Sequence, residues 1–221
     1  DVLDDYPDSH VALINMGDAL KTKAQYEKSF YFINRGLQTY KTAKALTLRA
    51  YLYTKLNQPD RALDDYVNAL EIDSSYSLVY ANRGNLFLRQ GNFRAAFSDF
   101  NQAIELNPLN PEYYYNRAVA YDLYEKIDSA INDYSRAIQL EYDLLPARKN
   151  RAIDFIIKGQ YHEALKDINL VLSKENLGEN YMIRGEIYIK LGRFQYACDD
   201  FKKAMNMGVK ASERYIKMYC Q

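Results

Sequence analysis

The sequence has 221 residues, of which 48% are hydrophobic and only five are proline, so it carries enough apolar side chains to bury a substantial core. This composition excludes a generally disordered chain. Lysine and arginine total 29, and aspartate and glutamate also total 29. The resulting net charge of zero gives no overall attraction to nucleic acid or to an anionic membrane, and we expect neither as a partner.

The sequence shows no sign of membrane insertion. No stretch approaches the roughly 20 consecutive apolar residues that a membrane-spanning helix needs. A basic region followed by an apolar region, the pattern of a signal peptide, is missing from the opening DVLDDYPDS. A signal peptide that has been removed leaves no trace, so the compartment stays open between the cytoplasm and the periplasm.

Residues that could support catalysis, metal binding or a cofactor are few. Cys198 and Cys220 are too few for a disulfide framework, and their spacing matches neither a zinc site nor a C-x-x-C motif. We expect Cys220 to be a half-buried structural thiol at one end of the fold. The two histidines, His10 and His162, lie far apart, and no phosphate-binding glycine cluster occurs. The sequence therefore predicts no metal, no cofactor and no enzyme.

The strongest pattern is a repeat with a period of about 34 residues. New units begin at His10, Ala43, Ser77, Pro111, Leu145 and Gly178. They divide the chain into six repeats, residues 10–42, 43–76, 77–110, 111–144, 145–177 and 178–211. The repeat lengths differ by one residue at most, so the register is tight.

Small and large side chains recur at fixed places within each unit. Places 8 and 20 always carry glycine, alanine or serine, whereas places 11 and 24 always carry a large side chain. In the third unit the small residues are Gly84 and Ala96, and the large residues are Phe87 and Phe100. Large side chains facing small ones allow two helix backbones to approach closely.

The apolar places predict two helices in each unit, which we call helix A and helix B. They fall at places 4, 8 and 11 and again at 17, 20, 21, 24, 27 and 28, the spacing of amphipathic helices rather than of strands. The break between the helices lies near place 15. That place carries Ala24, Asn57, Gly91, Glu125, Gly159 and Gly192 in the six units.

These residues resemble the tetratricopeptide repeat (TPR), whose pattern is W-x2-L-G-x2-Y, then A-x3-F, then P. The third unit matches at Tyr80, Gly84, Phe87, Ala96, Phe100 and Pro108. The sequence departs from the pattern in having no tryptophan, and Arg148 stands where an aromatic residue is usual. The resemblance implies an all-α fold, a right-handed α-solenoid of six helix-turn-helix units. Residues 212–221 continue the phase, with Tyr215 at place 4, and are expected to form a capping helix.

The first nine residues also fit the register. Counting back from His10, Val2 and Leu3 fall on the apolar places 27 and 28 of a preceding unit, and Pro7 falls on its place 32. Because solenoid ends need polar caps, we expect residues 1–9 to be the end of a preceding repeat or a lead-in from another segment.

Two charged places change together along the chain. Place 7 carries arginine and place 23 carries aspartate in units two to six, whereas the first unit has Met16 and Phe32 instead. The five pairs are Arg49 with Asp65, Arg83 with Asp99, Arg117 with Asp133, Arg151 with Asp167, and Arg184 with Asp200. We expect structural ion pairs that tie helix A to helix B, within one unit or across to its neighbour. A ladder of arginines that recruits an acidic ligand would leave the aspartates unexplained.

The resemblance implies that helix A lines a concave ligand groove through places 2, 5, 9, 12 and 13. Those places and the neighbouring place 6 include Lys44, Thr47, Tyr51, Lys55, Asn85, Leu88, Arg89, Tyr115, Asn116, Val119, Asp122, Lys149, Ile153, Ile156, Met182, Glu186 and Ile189. Tyrosine anchors among scattered polar groups suit a peptide better than a small metabolite.

Some family members hold a terminal carboxylate with a clamp of lysine, asparagine and arginine. Asn85 and Asn116 fit this clamp, but Ala81 replaces its first lysine, and Pro146 and Asn150 replace its last lysine and arginine. The sequence therefore does not predict a complete clamp.

Three functions remain open at this stage. The first is an interaction scaffold or adaptor that holds a peptide or protein in the groove. The second is the non-catalytic repeat region of a larger enzyme. The third is a structural array that self-associates, for example as a homodimer.

Overall fold

The computed structural model describes residues 9–220, which are all-α and contain no strand. The chain divides into two compact units, Asp1–Leu109 and Asn110–Gln221, here called the N-terminal and C-terminal units. The sequence predicts that residues 1–9 end a preceding repeat or lead in from another segment. Of these residues only Ser9 is described, so this prediction lies outside the described residues.

Each unit contains three pairs of helices. The N-terminal unit holds α1 (His10–Thr22), α2 (Tyr26–Thr39), α3 (Ala43–Lys55), α4 (Pro59–Ile72), α5 (Ser77–Arg89) and α6 (Phe93–Leu106). The C-terminal unit holds α7 (Pro111–Leu123), α8 (Ile127–Leu140), α9 (Leu145–Ile157), α10 (Tyr161–Lys174), α11 (Gly178–Lys190), α12 (Phe194–Asn206) and α13 (Ser212–Tyr219). Odd-numbered helices from α1 to α11 are helix A, and each begins at the first residue of its repeat.

The turn between helix A and helix B has the same backbone geometry in all six repeats. The residue at place 15 has a positive φ between 55° and 73° in every case. Glycine adopts this left-handed conformation without a steric penalty, as at Gly91. Ala24, Asn57 and Glu125 adopt it with a side chain, which costs backbone energy that the packed helix pair must compensate.

The core of each repeat is the contact between its small and large places. The side chain at place 24 is completely or almost completely buried in all six repeats, as are the small residues at place 20. A Cβ atom added to Gly84 would lie 2.9 Å from Phe100 Cε1, and one added to Gly185 would lie 2.6 Å from Phe201 Cε1. Glycine at these two positions therefore lets the large ring sit directly against the helix A backbone.

Cys220 is not a free thiol, and the expectation from the sequence was wrong. Cys198 in α12 and Cys220, directly after α13, form a disulfide with 5.4 Å between their Cα atoms. The ring of Tyr215 in α13 stacks on Phe201 in α12, with 4.7 Å between centroids, and this packing brings Cys220 back to α12. Their separation of 22 residues belongs to no local motif, so composition and spacing could not reveal the pair.

Removing the disulfide should loosen α13 more than any other helix. A cross-link that closes a loop of this size contributes about 3 kcal/mol by restricting the unfolded chain. In the double variant Cys198→Ser and Cys220→Ser, the amide hydrogens of α13 should exchange up to about 100-fold faster than in the wild type. Amides of α3, in the other unit, provide the control because their exchange should not change. Equal exchange of α13 in both proteins would contradict this role.

Candidate functional site

The paired charges of places 7 and 23 lie in contact within each repeat. In all five pairs the arginine Nε donates to the aspartate Oδ2, and Nη2 donates to Oδ1, at 2.7–2.8 Å. The aspartates are buried and the arginines are partly buried. Two parallel hydrogen bonds between planar charged groups fix both distance and orientation.

The remaining guanidinium nitrogen of three arginines reaches helix B of the preceding repeat. Arg49 Nη1 donates to Asn34 at 3.0 Å, and Arg184 Nη1 donates to Asn169 at the same distance. Arg151 Nη1 donates to Ser135 at 2.8 Å. Each of these arginines therefore connects three helices.

Each of the five arginines also lies over the aromatic ring at place 11 of its own helix A. The guanidinium carbon is 5.5–6.0 Å from the ring centroids of Tyr53, Phe87, Tyr121, Phe155 and Tyr188. A cation over a ring face adds a modest attraction. The hydrogen bond to Asp65 raises the pKa of Arg49 above its ordinary value. These arginines are occupied by their own repeats, so they are poorly placed to recruit a ligand.

Arg148 supplies a second guanidinium to the Asp167 site. It is 6% exposed, and its Nη1 lies 3.3 Å from Asp167 Oδ1. Its Nε and Nη2 donate to the backbone carbonyl of Tyr142, and its guanidinium lies 4.4 Å from the centroid of that ring. Arg148 is thus buried at place 4, where the third, fourth and sixth repeats carry tyrosine, because its guanidinium contacts a carboxylate, a carbonyl and a ring. No pattern in the sequence indicated these partners.

In the N-terminal unit the predicted groove residue Tyr51, on α3, has lysines against its ring. Lys21 Nζ and Lys55 Nζ lie 5.4 and 5.2 Å from the Tyr51 ring centroid. Lys44, on the same helix, donates to Asn15 at 3.0 Å and lies 3.8 Å from Asp18. The face therefore presents a half-buried aromatic ring between lysines.

Thr47 does not belong to this exposed face, which corrects one predicted groove residue. It is 1% exposed, and its hydroxyl donates to the Ala43 carbonyl in its own helix. The other predicted groove residues of this unit are at least partly exposed, namely Lys55, Asn85, Leu88 and Arg89.

In the C-terminal unit the corresponding face contains Tyr115 on α7. Its ring lies 5.9 Å from that of Tyr134, whose hydroxyl donates to Asp122 Oδ2 and accepts from Asn150 Nδ2 at 3.1 Å. The predicted residues Asn116, Val119, Lys149 and Met182 are partly exposed, and Ile153 is 40% exposed.

Two carboxyl groups meet beneath this face, on α7 and α9. Asp154 is 3% exposed, and burial beside Asp122 raises its pKa from 3.8 to about 8. Burial also raises the pKa of Asp122, although the Tyr134 hydroxyl opposes that shift. Asp122 Oδ1 and Asp154 Oδ2 accept no other hydrogen bond, so one proton shared between the two carboxyl groups satisfies both. Sequence reasoning missed this pair because its members occupy different places in adjacent repeats.

Within residues 9–220, no helix is long and apolar enough to span a membrane. The same residues contain no group of three or more His, Cys, Asp or Glu side chains arranged to hold a metal ion.

Paired helices repeated with a fixed contact between small and large residues define an α-helical repeat protein. Family models for the tetratricopeptide repeat match residues 43–76, 84–122, 111–143 and 178–207, more than half of the chain in total. The chain belongs to the tetratricopeptide repeat family. No curated protein matches it significantly.

Several solved structures share the fold. PilF of Pseudomonas aeruginosa is 15% identical with a TM-score of 0.84, over 95% of this chain and 97% of PilF. PilW, described as a type IV pilus biogenesis factor, is 18% identical with a TM-score of 0.77, over 88% of this chain and 91% of PilW. YrrB, described as a TPR protein with an unusual peptide-binding site, is 22% identical with a TM-score of 0.70, over 84% of this chain and 97% of YrrB. At these identities the likeness concerns the fold alone.

Truncating one arginine of the repeated pairs should destabilise the protein strongly. Arg117→Ala leaves Asp133, whose side chain is 10% exposed, without its bidentate partner. We expect a loss of about 3 kcal/mol in the free energy of unfolding, measured by urea denaturation, because the carboxylate remains buried and unpaired. The exposed pair Lys217–Glu213 supplies the control, since Lys217→Ala should cost less than about 1 kcal/mol. Similar small losses for both variants would show that the repeated pairs are not structural.

The buried acid pair should make stability depend on pH. Between pH 3.8 and about 8 the folded protein holds a proton at Asp154 that the unfolded chain has released. The free energy of unfolding should therefore fall as the pH rises through this window and level off above it. Asp154→Asn should remove much of this fall, because an amide does not titrate.

Urea midpoints at pH 5, 7 and 9 measure this dependence. Asp128→Asn is the matched control, because the Asp128 side chain is 79% exposed and its removal should leave the slope nearly unchanged. Parallel pH profiles for the wild type and Asp154→Asn would rule out a shared proton.

Proposed function

We propose that this chain is a protein-interaction module that holds a peptide or an extended protein segment against its helix A faces. Membership of the tetratricopeptide repeat family supports an interaction scaffold in general. The finer proposal is consistent with YrrB, a protein of similar fold that is described as having a peptide-binding site.

The observation that carries the proposal is the environment of Tyr51. Its ring is half-buried, so its position is fixed, and Lys21 and Lys55 lie on it without burying it. A preorganised aromatic ring loses little entropy when it binds. Lys55 adds a polar contact for a ligand carboxylate or carbonyl, whereas Lys21 Nζ already lies 2.8 Å from Asp18 Oδ1.

Tyr115 offers a comparable anchor in the C-terminal unit. Burial raises the pKa of its hydroxyl, so the group stays protonated and can act as a hydrogen-bond donor. Asn150 and Val119 lie on the same set of helices and are partly exposed. A face of this mixed composition suits a peptide, whose backbone needs hydrogen bonds and whose side chains need apolar contacts.

A peptide library tests this assignment and does not require the natural partner. Peptides displayed on phage are selected on the full chain, and the affinity of the selected peptides is measured by fluorescence anisotropy. The double variant Tyr51→Ala and Tyr115→Ala should weaken binding by about tenfold or more, because each truncation removes an aromatic anchor.

The matched control removes two tyrosines from helix B. Tyr31 and Tyr196 are 57% and 61% exposed, and the variant Tyr31→Ala and Tyr196→Ala should bind the selected peptides as the wild type does. Circular dichroism and urea midpoints confirm that both double variants remain folded. Unchanged affinity in the Tyr51 and Tyr115 variant, or equal losses in both, would overturn the assignment to helix A.

A further inference from the structure

A cavity of about 310 Å³ lies in the C-terminal unit where α9, α11 and α13 meet. We call it the α13 pocket. Ile156, Ile189 and Met218 supply apolar side chains from these three helices, one from each. Its volume is close to that of the smaller ligand sites in proteins, so it has room for one large side chain.

The wall formed by α13 is held in place by several contacts. Tyr215 stacks on Phe201 and donates its hydroxyl to Glu186 Oε1 at 2.9 Å. The disulfide between Cys198 and Cys220 fastens the end of the same helix. The pocket is therefore part of the folded structure and does not need a ligand to form.

Two cations line the pocket. Lys190 Nζ and the Arg214 guanidinium have no carboxylate oxygen within 4 Å among residues 9–220, whereas Glu186 is already engaged by the Tyr215 hydroxyl. Both cations are exposed, so they remain hydrated and can approach a ligand at little cost. The lining thus combines apolar groups with two cations and one carboxylate, which leaves one net positive charge (two minus one).

We propose that the α13 pocket binds an aliphatic or aromatic side chain of a peptide that carries an aspartate or glutamate next to it. The apolar side chain fills the space between Ile156, Ile189 and Met218, and the adjacent carboxylate lies between Lys190 and Arg214. This inference rests on the proposed function, because it places one anchor of the bound peptide at the last repeat. It gives a binding role to residues of α13, which the repeat pattern predicts only as a cap.

Methyl resonances in the pocket test the proposal directly. The full chain, labelled with ¹³C at Ile and Met methyl groups, is titrated with the acetylated and amidated hexapeptide Gly-Ser-Phe-Glu-Gly-Ser. The signals of Ile156, Ile189 and Met218 should shift in a saturable manner. The same peptide with Gln in place of Glu should bind about fivefold more weakly, since it loses two exposed ionic contacts.

Variants that remove charge test whether Lys190 and Arg214 cause the tighter binding of the Glu peptide. Lys190→Gln combined with Arg214→Gln should bind the Glu and Gln peptides equally, while the methyl shifts persist. Lys217→Gln, which changes an exposed lysine of α13 that pairs with Glu213, is the matched control and should keep the preference. These substitutions lie outside the repeat core, so they leave the fold intact.

Three results would overturn the proposal. The first is the absence of saturable shifts at the pocket methyl groups, and the second is equal binding of the Glu and Gln peptides to the wild type. The third is clearly tighter binding of the peptide Gly-Ser-Phe with a free carboxyl end than of the Glu hexapeptide. That result would show that the two cations bind a terminal carboxylate and not a Glu side chain. Library peptides that still depend on Tyr51 and Tyr115 would show that only the pocket assignment failed, and not the proposed function.

Discussion

A bidentate ion pair between helix A and helix B fixes the geometry of five of the six repeats, and the first repeat, with Met16 and Phe32 at these places, forms its helix pair without it. Each of five repeats devotes one arginine and one aspartate to it, and three of the arginines also bind helix B of the preceding repeat. A planar guanidinium allows little variation in distance or angle. In these five repeats the pairs therefore restrain the angle between helix A and helix B, while the small residues at places 8 and 20 allow the two backbones to approach closely.

This arrangement explains why one side of helix A remains exposed to solvent and available to a ligand. Its place 7 arginine and place 8 small residue face helix B, whereas Tyr51 and Tyr115, at other places of the same kind of helix, remain partly exposed. The surroundings of these exposed places differ between the two units, since two lysines lie against the Tyr51 ring and a buried carboxyl pair lies near Tyr115.

Much of the fold could be predicted because the determining residues recur. The large residue at place 24, such as Phe100, needs a small residue opposite it at place 8, such as Gly84, and the repetition of both makes each helix pair recognisable. The positive φ at Ala24 and Glu125 follows from the position of the turn, even though neither residue favours that conformation. The repetition of a position therefore predicts the local backbone geometry even where the residue type alone would not.

Features that occur only once along the chain could not be predicted from the repeat pattern. The disulfide depends on how α13 packs, Arg148 depends on three partners distant in sequence, and the Asp122–Asp154 contact joins unlike places of two repeats. Thr47 occupies a place implied to face a ligand, yet its hydroxyl binds its own helix. The candidate site was therefore only partly predictable, because a repeat register specifies a face and not the burial of each side chain on it.

Paramagnetic relaxation can show which helices line a bound peptide. A nitroxide label is attached to a library-selected peptide, and the loss of amide signal intensity is measured along the full chain. We expect the strongest losses on the helix A elements α1, α3, α5, α7, α9 and α11. Losses confined to the helix B elements α2, α4, α6, α8, α10 and α12 would contradict binding at the helix A faces.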